Sequence, residues 1–106
     1  MSIQFLYYED CPSHDDALDR LKTVMAEVGV NVNIEIIKVE TEAQAQQLRF
    51  VGSPTILING KDIVPPPDNA YYSLTCRAYR LENGRISPLP SVDMIRHALQ
   101  QHFTIV

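Results

Sequence analysis

The chemistry this sequence could carry rests first on two cysteines, Cys11 and Cys76. Cys11 follows an apolar run (Phe5-Leu6-Tyr7-Tyr8) and an acidic pair (Glu9-Asp10), and it precedes Pro12-Ser13-His14 and a helical pattern. That order predicts Cys11 at the N-cap and Pro12 at the first helical position, where the missing N–H is no loss. A helix N-terminus carries about half a positive charge and presents unpaired N–H groups. A thiol held there ionises more readily, and the thiolate is the reactive form. His14, three residues on, adds to the effect when protonated. Glu9, Asp10, Asp15 and Asp16 oppose it, because each carboxylate disfavours a second negative charge nearby. The balance depends on distances. Ser, Thr, Asp or Asn would cap a helix better than Cys, so a cysteine here reads as chemistry rather than as a cap.

The other candidates are weaker. Two Cys and three His could supply four metal ligands, but no Cys-x-x-Cys pairs them, and a structural zinc site usually takes four grouped ligands. Cys11, His14 and Cys76 could hold a soft ion such as Hg(II), Cu(I) or Zn(II), yet three scattered ligands form no specific pattern. His97 and His102 are five apart and do not share a helix face, so solvated or capping roles are expected. Tyr71, Tyr72 and Tyr79 read as packing, and Tyr7 or Tyr8 is expected beside Cys11. Pro65-Pro66-Pro67 reads as a stiff loop. No metal site and no cofactor are expected.

The elements that must position these residues are legible in the periodicity. Residues 2 to 8 read as a strand with both faces apolar, hence a central one. Residues 12 to 28 read as a helix, with Leu18, Leu21, Met25 and Val28 on one face and Gly29 as its stop. Residues 30 to 39 alternate, with Val30, Val32, Ile34 and Ile36 facing one way: a half-buried strand near an edge. Thr41-Glu42-Ala43-Gln44 is a capping box that opens a short helix ending near Leu48 or Arg49. Thr55 to Ile58 is a strand, followed by the turn signal Asn59-Gly60. Leu74 to Leu81 reads as a further strand. Ser91 caps a last helix with Val92, Ile95, Leu99 and Phe103 facing inward. The predicted order is β-α-β-α-β-β-α, an α/β three-layer sandwich around a mixed sheet, with the first two strands parallel through a right-handed crossover. The first and last helices should share one face and the short Thr41 helix should cover the other.

The 106 residues, 45% hydrophobic and 21% charged, suit a single globular domain spanning residues 1–106. The net charge of −4 and the scattered basic residues argue against a nucleic-acid partner. No apolar run reaches the roughly 18 residues of a membrane span, and the first residues lack the pattern of a signal peptide. A reducing, cytoplasmic setting is therefore expected, and two cysteines are too few for a disulfide scaffold.

Taken in order, Cys11-Pro12, a helix, a strand, a helix and Gly52-Ser53-Pro54-Thr55-Ile56-Leu57-Ile58-Asn59-Gly60 resemble the thioredoxin superfamily. The resemblance covers nearly the whole chain. It is nearest to small bacterial thioredoxin-like proteins with Cys-Pro-x-x, Gly-Ser-Pro-Thr and a late Cys-Arg-x-Tyr, here Cys76-Arg77-Ala78-Tyr79; such proteins are sometimes named beside alkylmercury lyases. It implies a thioredoxin-like fold and thiol–disulfide oxidoreductase activity on a protein or low-molecular-weight thiol or disulfide. It implies Cys11 and His14 as catalytic residues and Pro12, Ser53, Pro54 and Thr55 as substrate-binding residues. It also implies a cis Ser53–Pro54 bond, where base rates alone favour trans, with the Ser53 backbone free to pair with an extended substrate.

The sequence departs from that family at one place: its Cys-x-x-Cys is Cys11-Pro12-Ser13-His14 here. Three options follow. Cys11 works alone through a mixed disulfide, Cys76 resolves it from a distance, or the site is a non-catalytic module that binds a partner or a thiophilic metal. Pairing requires the two Cα atoms to lie within roughly 7 Å. Alternation along residues 74 to 80 groups Cys76 with Leu74 and Ala78, which suggests a buried thiol. If this is the last strand, antiparallel to the Thr55 strand, Cys76 enters at the end away from Cys11 and lies out of reach. The expectation is a structural Cys76 and a single working thiol at Cys11.

Overall fold

The computed structural model describes residues 2–102. Its elements are β1 (Ile3–Tyr7), α1 (His14–Val28), β2 (Ile34–Lys38), α2 (Glu42–Leu48), β3 (Thr55–Ile58), β4 (Lys61–Asp62), β5 (Tyr79–Arg80), β6 (Ile86–Ser87) and α3 (Val92–His102). Four strands form one mixed sheet in the order β2-β1-β3-β4. β1 runs parallel to β2 and antiparallel to β3, and β3 runs antiparallel to β4. The architecture is mixed α/β with a thioredoxin-like layout.

The register sorts the side chains onto two faces. Ile3 pairs with Ile58 and Phe5 with Ile56, and these four pack with Ala17, Leu21, Val24 and Met25 of α1 and Ile95, Ala98 and Leu99 of α3. Leu6, on the opposite face, packs with Val39, Ala45 of α2 and Phe50. Two helices thus cover one face and the short helix the other, as the period-2 and period-3.6 patterns require. Leu18 and Val28 are only partly buried at the margin of the first cluster, and Ala17 and Val24 take the deeper positions.

Several boundaries differ from the sequence reading. α1 begins at His14 with Ser13 as N-cap, so Pro12 and Cys11 precede the helix. The reason is a turn closed by the Cys11 N–H donating to the Tyr8 carbonyl at 3.0 Å, which uses the residues expected to cap. β2 is shorter than the alternating run. Ahead of it, the Val30 N–H donates to the Met25 carbonyl at 2.9 Å, and Val30 and Val32 pack against the α1 cluster. Ile36, expected inside, is 50% exposed because β2 is the edge strand.

The capping box at α2 holds, with the Gln44 N–H donating to Thr41 Oγ1 at 3.0 Å. The Gln44 side chain accepts from the Glu40 N–H at 2.9 Å, one residue before the cap. Arg49 ends the helix in the left-handed region at φ 55°. Ser91 caps α3, its Oγ accepting from the Met94 N–H at 3.1 Å. Ile95 and Leu99 are buried, whereas Val92 is exposed at the helix start; Phe103 lies outside the described residues.

The largest difference lies between residues 59 and 87. The fourth strand of the sheet is Lys61–Asp62, reached directly through the Asn59-Gly60 turn, and not the Leu74–Leu81 run. That run is a strand only at Tyr79–Arg80, which forms a separate hairpin with Ile86–Ser87. A two-residue turn returns the chain to the sheet edge at once. The stretch between Ile63 and Ser73 is then free to carry the chain to the opposite end of β3.

Candidate active site: the Cys11–Cys76 disulfide

At that end of β3 the chain makes a cross-link. Cys11 and Cys76 are joined in a disulfide with 5.7 Å between their Cα atoms. This overturns the expectation that Cys76 lies out of reach, and with it the picture of Cys11 as a lone thiol. The expected antiparallel entry does not occur. Cys76 instead lies in a single parallel bridge with Ser53, outside the sheet. The burial is also inverted: Cys76 and Ala78 are exposed, and Arg77 and Tyr79 point inward. Cys11 is 2% exposed.

The Gly52-Ser53-Pro54-Thr55 loop is the platform for this crossing. Its Ser53–Pro54 peptide bond is cis. The Ser53 N–H donates to the Thr75 carbonyl at 2.8 Å, and the Ser53 carbonyl accepts from the Arg77 N–H at 2.9 Å. The Ser53 backbone is therefore engaged by its own chain, contrary to the expectation that it stands free for a substrate strand. Gly52 permits the approach. Its φ is +140°, and an added Cβ would lie 2.8 Å from the Arg77 Cα. Only a residue without a Cβ fits there. The Ser53 hydroxyl is buried and, among the described residues, has no hydrogen-bond partner.

Arg77 and Tyr79 clamp the segment from inside. The Arg77 guanidinium donates to Asp62 Oδ2 at 2.7 Å and to the Val64 carbonyl at 2.6 Å. Arg77 and Asp62 are both almost wholly buried, so each charge depends on the other for its solvation. The same guanidinium lies 4.6 Å from the centroid of the Tyr79 ring, within cation–π range. The Tyr79 hydroxyl donates to the Pro54 carbonyl at 2.5 Å. Burial pushes the Tyr79 phenol well above its ordinary range, and the neighbouring Arg77 charge offsets this only in part. Thr55 is buried too, its hydroxyl donating to the Gly52 carbonyl at 2.5 Å.

The sequence pattern marks Tyr79 only as packing and Arg77 and Asp62 not at all. The available signal was a charged residue alternating with an aromatic one directly after a cysteine. A buried arginine in that position needs a carboxylate, and Asp62 supplies it.

The remaining site candidates fall around this crossing. Pro12 is exposed beside Cys11, whereas Ser53, Pro54 and Thr55 are buried under the Thr75–Tyr79 segment. The His14 ring lies against that of Tyr7, tilted by 32° with 4.6 Å between centroids, and its Nδ1 lies 3.2 Å from Asp15 Oδ1. Tyr8 lines a small cavity with Glu9, Asp10, Lys38 and Leu74. Its hydroxyl donates to Asp10 Oδ2 at 2.9 Å, and that bond to a carboxylate raises the phenol's pKa. Tyr71, expected to pack, is 89% exposed, and His97 is exposed on α3. Among the described residues, no group of three or more His, Cys, Asp or Glu is placed to hold a metal ion, and no helix is long and apolar enough to cross a membrane.

Chemically, the arrangement is one disulfide between Cys11 and Cys76. The partners come from distant parts of the sequence, one buried at a strand–helix junction and one facing solvent. No curated protein and no solved structure matches the chain. Residues 11–99, which run from the first cysteine through the second and into α3, match the family described as Domain of unknown function (DUF2703), and the chain belongs to that family.

Proposed function

We propose that the protein is a thioredoxin-like thiol–disulfide oxidoreductase whose working pair is Cys11 and Cys76. One observation carries the reading: a buried cysteine at the β1–α1 junction is bonded to an exposed cysteine on the segment that crosses the cis-proline loop. The pair supplies the second thiol that the Cys11-Pro12-Ser13-His14 motif lacks. A disulfide there can accept two electrons from a dithiol, and the reduced pair can return them to a disulfide, without any cofactor. The substrate in this reading is a protein or a low-molecular-weight thiol or disulfide, and the setting is cytoplasmic. His14, at the start of α1, is the group that in this reading favours the Cys11 thiolate when protonated.

A second reading is favoured by the engagement of the Ser53 backbone. A loop already paired with its own chain suits a non-catalytic module in which the disulfide is a staple. The two readings separate by titration. The protein is equilibrated in glutathione buffers of stepped redox ratio, and its free thiols are trapped and counted by mass spectrometry. An oxidoreductase titrates reversibly as a two-electron couple and accelerates exchange between a small dithiol and a peptide disulfide. A protein that stays oxidised across the physiological range, or exchanges no faster than buffer, is stapled and not catalytic.

A further inference from the structure

Resting on the oxidoreductase reading, we propose that Cys76, and not the helix-junction Cys11, is the sulfur that meets substrate, and that Cys11 is the resolving cysteine. The first ground is access. Thiol–disulfide exchange depends on which sulfur the incoming thiolate can reach. Cys11 is 2% exposed, while Cys76 is exposed and so are its neighbours Thr75 and Ala78.

The second ground is that reduction does not reverse this order. The Cys76 segment is held by contacts that do not involve either sulfur. These are the two Ser53 backbone hydrogen bonds, the Arg77–Asp62 ion pair, the Arg77 bond to the Val64 carbonyl and the Tyr79 bond to the Pro54 carbonyl. None of them depends on the sulfur–sulfur bond. Cys76 therefore stays on the solvent side of Cys11 in the dithiol state, with the two Cα atoms still near their bonded spacing. That proximity makes the resolving step effectively unimolecular.

The third ground is space. Along the same face as Cys76, Ala78 lines a groove of about 290 Å³ walled by Val51, Pro65, Pro66, Pro67 and Tyr71. On the other side of Cys76, Leu74 lines the cavity that contains Tyr8 and Asp10. The residues flanking Cys76 in sequence thus border a proline-rich groove that also includes Arg77 and a cavity lined by charged side chains.

The Cys76 thiolate attacks a substrate disulfide R–S–S–R′. The Cys76–S–S–R bond forms, and R′–S⁻ leaves and takes up a proton. The Cys11 thiolate then attacks the Cys76 sulfur, the Cys11–Cys76 disulfide forms, and R–S⁻ leaves and is protonated. Two electrons pass from the protein dithiol to the substrate, and the two cysteine protons end on the two released thiols. The reverse sequence oxidises a substrate dithiol.

The test uses the folded, reduced wild-type protein, mixed with substoichiometric N-ethylmaleimide, quenched in acid and mapped by mass spectrometry. Cys76 is expected to be labelled at least tenfold faster than Cys11. As a second measurement, Cys11→Ala is expected to form a mixed disulfide with oxidised glutathione at Cys76 faster than Cys76→Ala forms one at Cys11. Labelling of Cys11 first, or at an equal rate, overturns the assignment of roles and leaves the oxidoreductase reading standing if the pair still titrates reversibly. A wild-type pair that does not re-form its disulfide after reduction overturns both.

Discussion

Tyr79 shows how one side chain fixes the geometry of the site. Its hydroxyl is buried against the Pro54 carbonyl, and its ring carries the Arg77 guanidinium. Replacing it with Phe removes the bond and leaves the Pro54 carbonyl without that donor, so Tyr79→Phe is expected to cost about 1 kcal/mol at neutral pH. The raised phenol pKa adds a pH signature. Below the ordinary tyrosine value near 10, both folded and unfolded chains keep the proton and the full stability is present. Above it the unfolded chain loses the proton and the folded chain does not. Stability then falls by roughly 1.4 kcal/mol per pH unit until the folded value is reached. Urea denaturation at pH 7 and pH 11 checks this: the wild type is expected to lose more stability between the two than Tyr79→Phe does.

At the scale of elements, α2 is the piece most dependent on its ends. It has seven residues, too few to persist without caps and tertiary contacts. Thr41 Oγ1 takes the Gln44 N–H at the start. At the close, the Phe50 N–H donates to the Ala45 carbonyl at 2.8 Å, and Phe50 itself is fully buried. Phe50 leads straight into Gly52 and the cis-proline loop, so the helix end sets where that loop begins. Thr41→Ala is expected to cost about 1 kcal/mol. Because the loop is also held by Arg77 and Tyr79, the loss is expected in the thermal midpoint and not in the ability of Cys11 and Cys76 to pair, which thiol trapping after mild oxidation measures.

For the whole molecule, the disulfide closes a loop with a sequence separation of 65. Chain-entropy arithmetic for a loop of that length gives about 4 kcal/mol of stabilisation, through restriction of the unfolded chain. Oxidised wild type is expected to exceed Cys76→Ser in unfolding free energy by up to about that amount. The secondary structure of the two should be the same by circular dichroism, because the contacts around Ser53 and Arg77 remain. A variant that loses native structure outright would mean that the cross-link, and not these contacts, holds the 73–79 segment in place.

The sequence by itself determined what short-range physics controls. Apolar periodicity set β1, α1, β3 and α3 and the faces they bury. Thr41-x-x-Gln44 set the start of α2, and Asn59-Gly60 set a tight turn. The order of apolar run, acidic pair and helical pattern located Cys11 at the strand–helix junction, and the motif resemblance implied the cis bond at Pro54. Tertiary structure decided what depends on where a long irregular stretch returns. The Ile63–Ser73 excursion has no period to read, and its course settles which end of β3 receives Cys76. Once Lys61–Asp62 fills the sheet edge, the following chain is released to cross Ser53 in parallel, and Cys76 and Ala78, expected inside, face outward while Arg77 turns inward. Alternation in a strand fixes which residues share a face. Which face is buried depends on the partner it packs against, and here that partner is the Ser53–Thr55 loop with Asp62 waiting for the arginine.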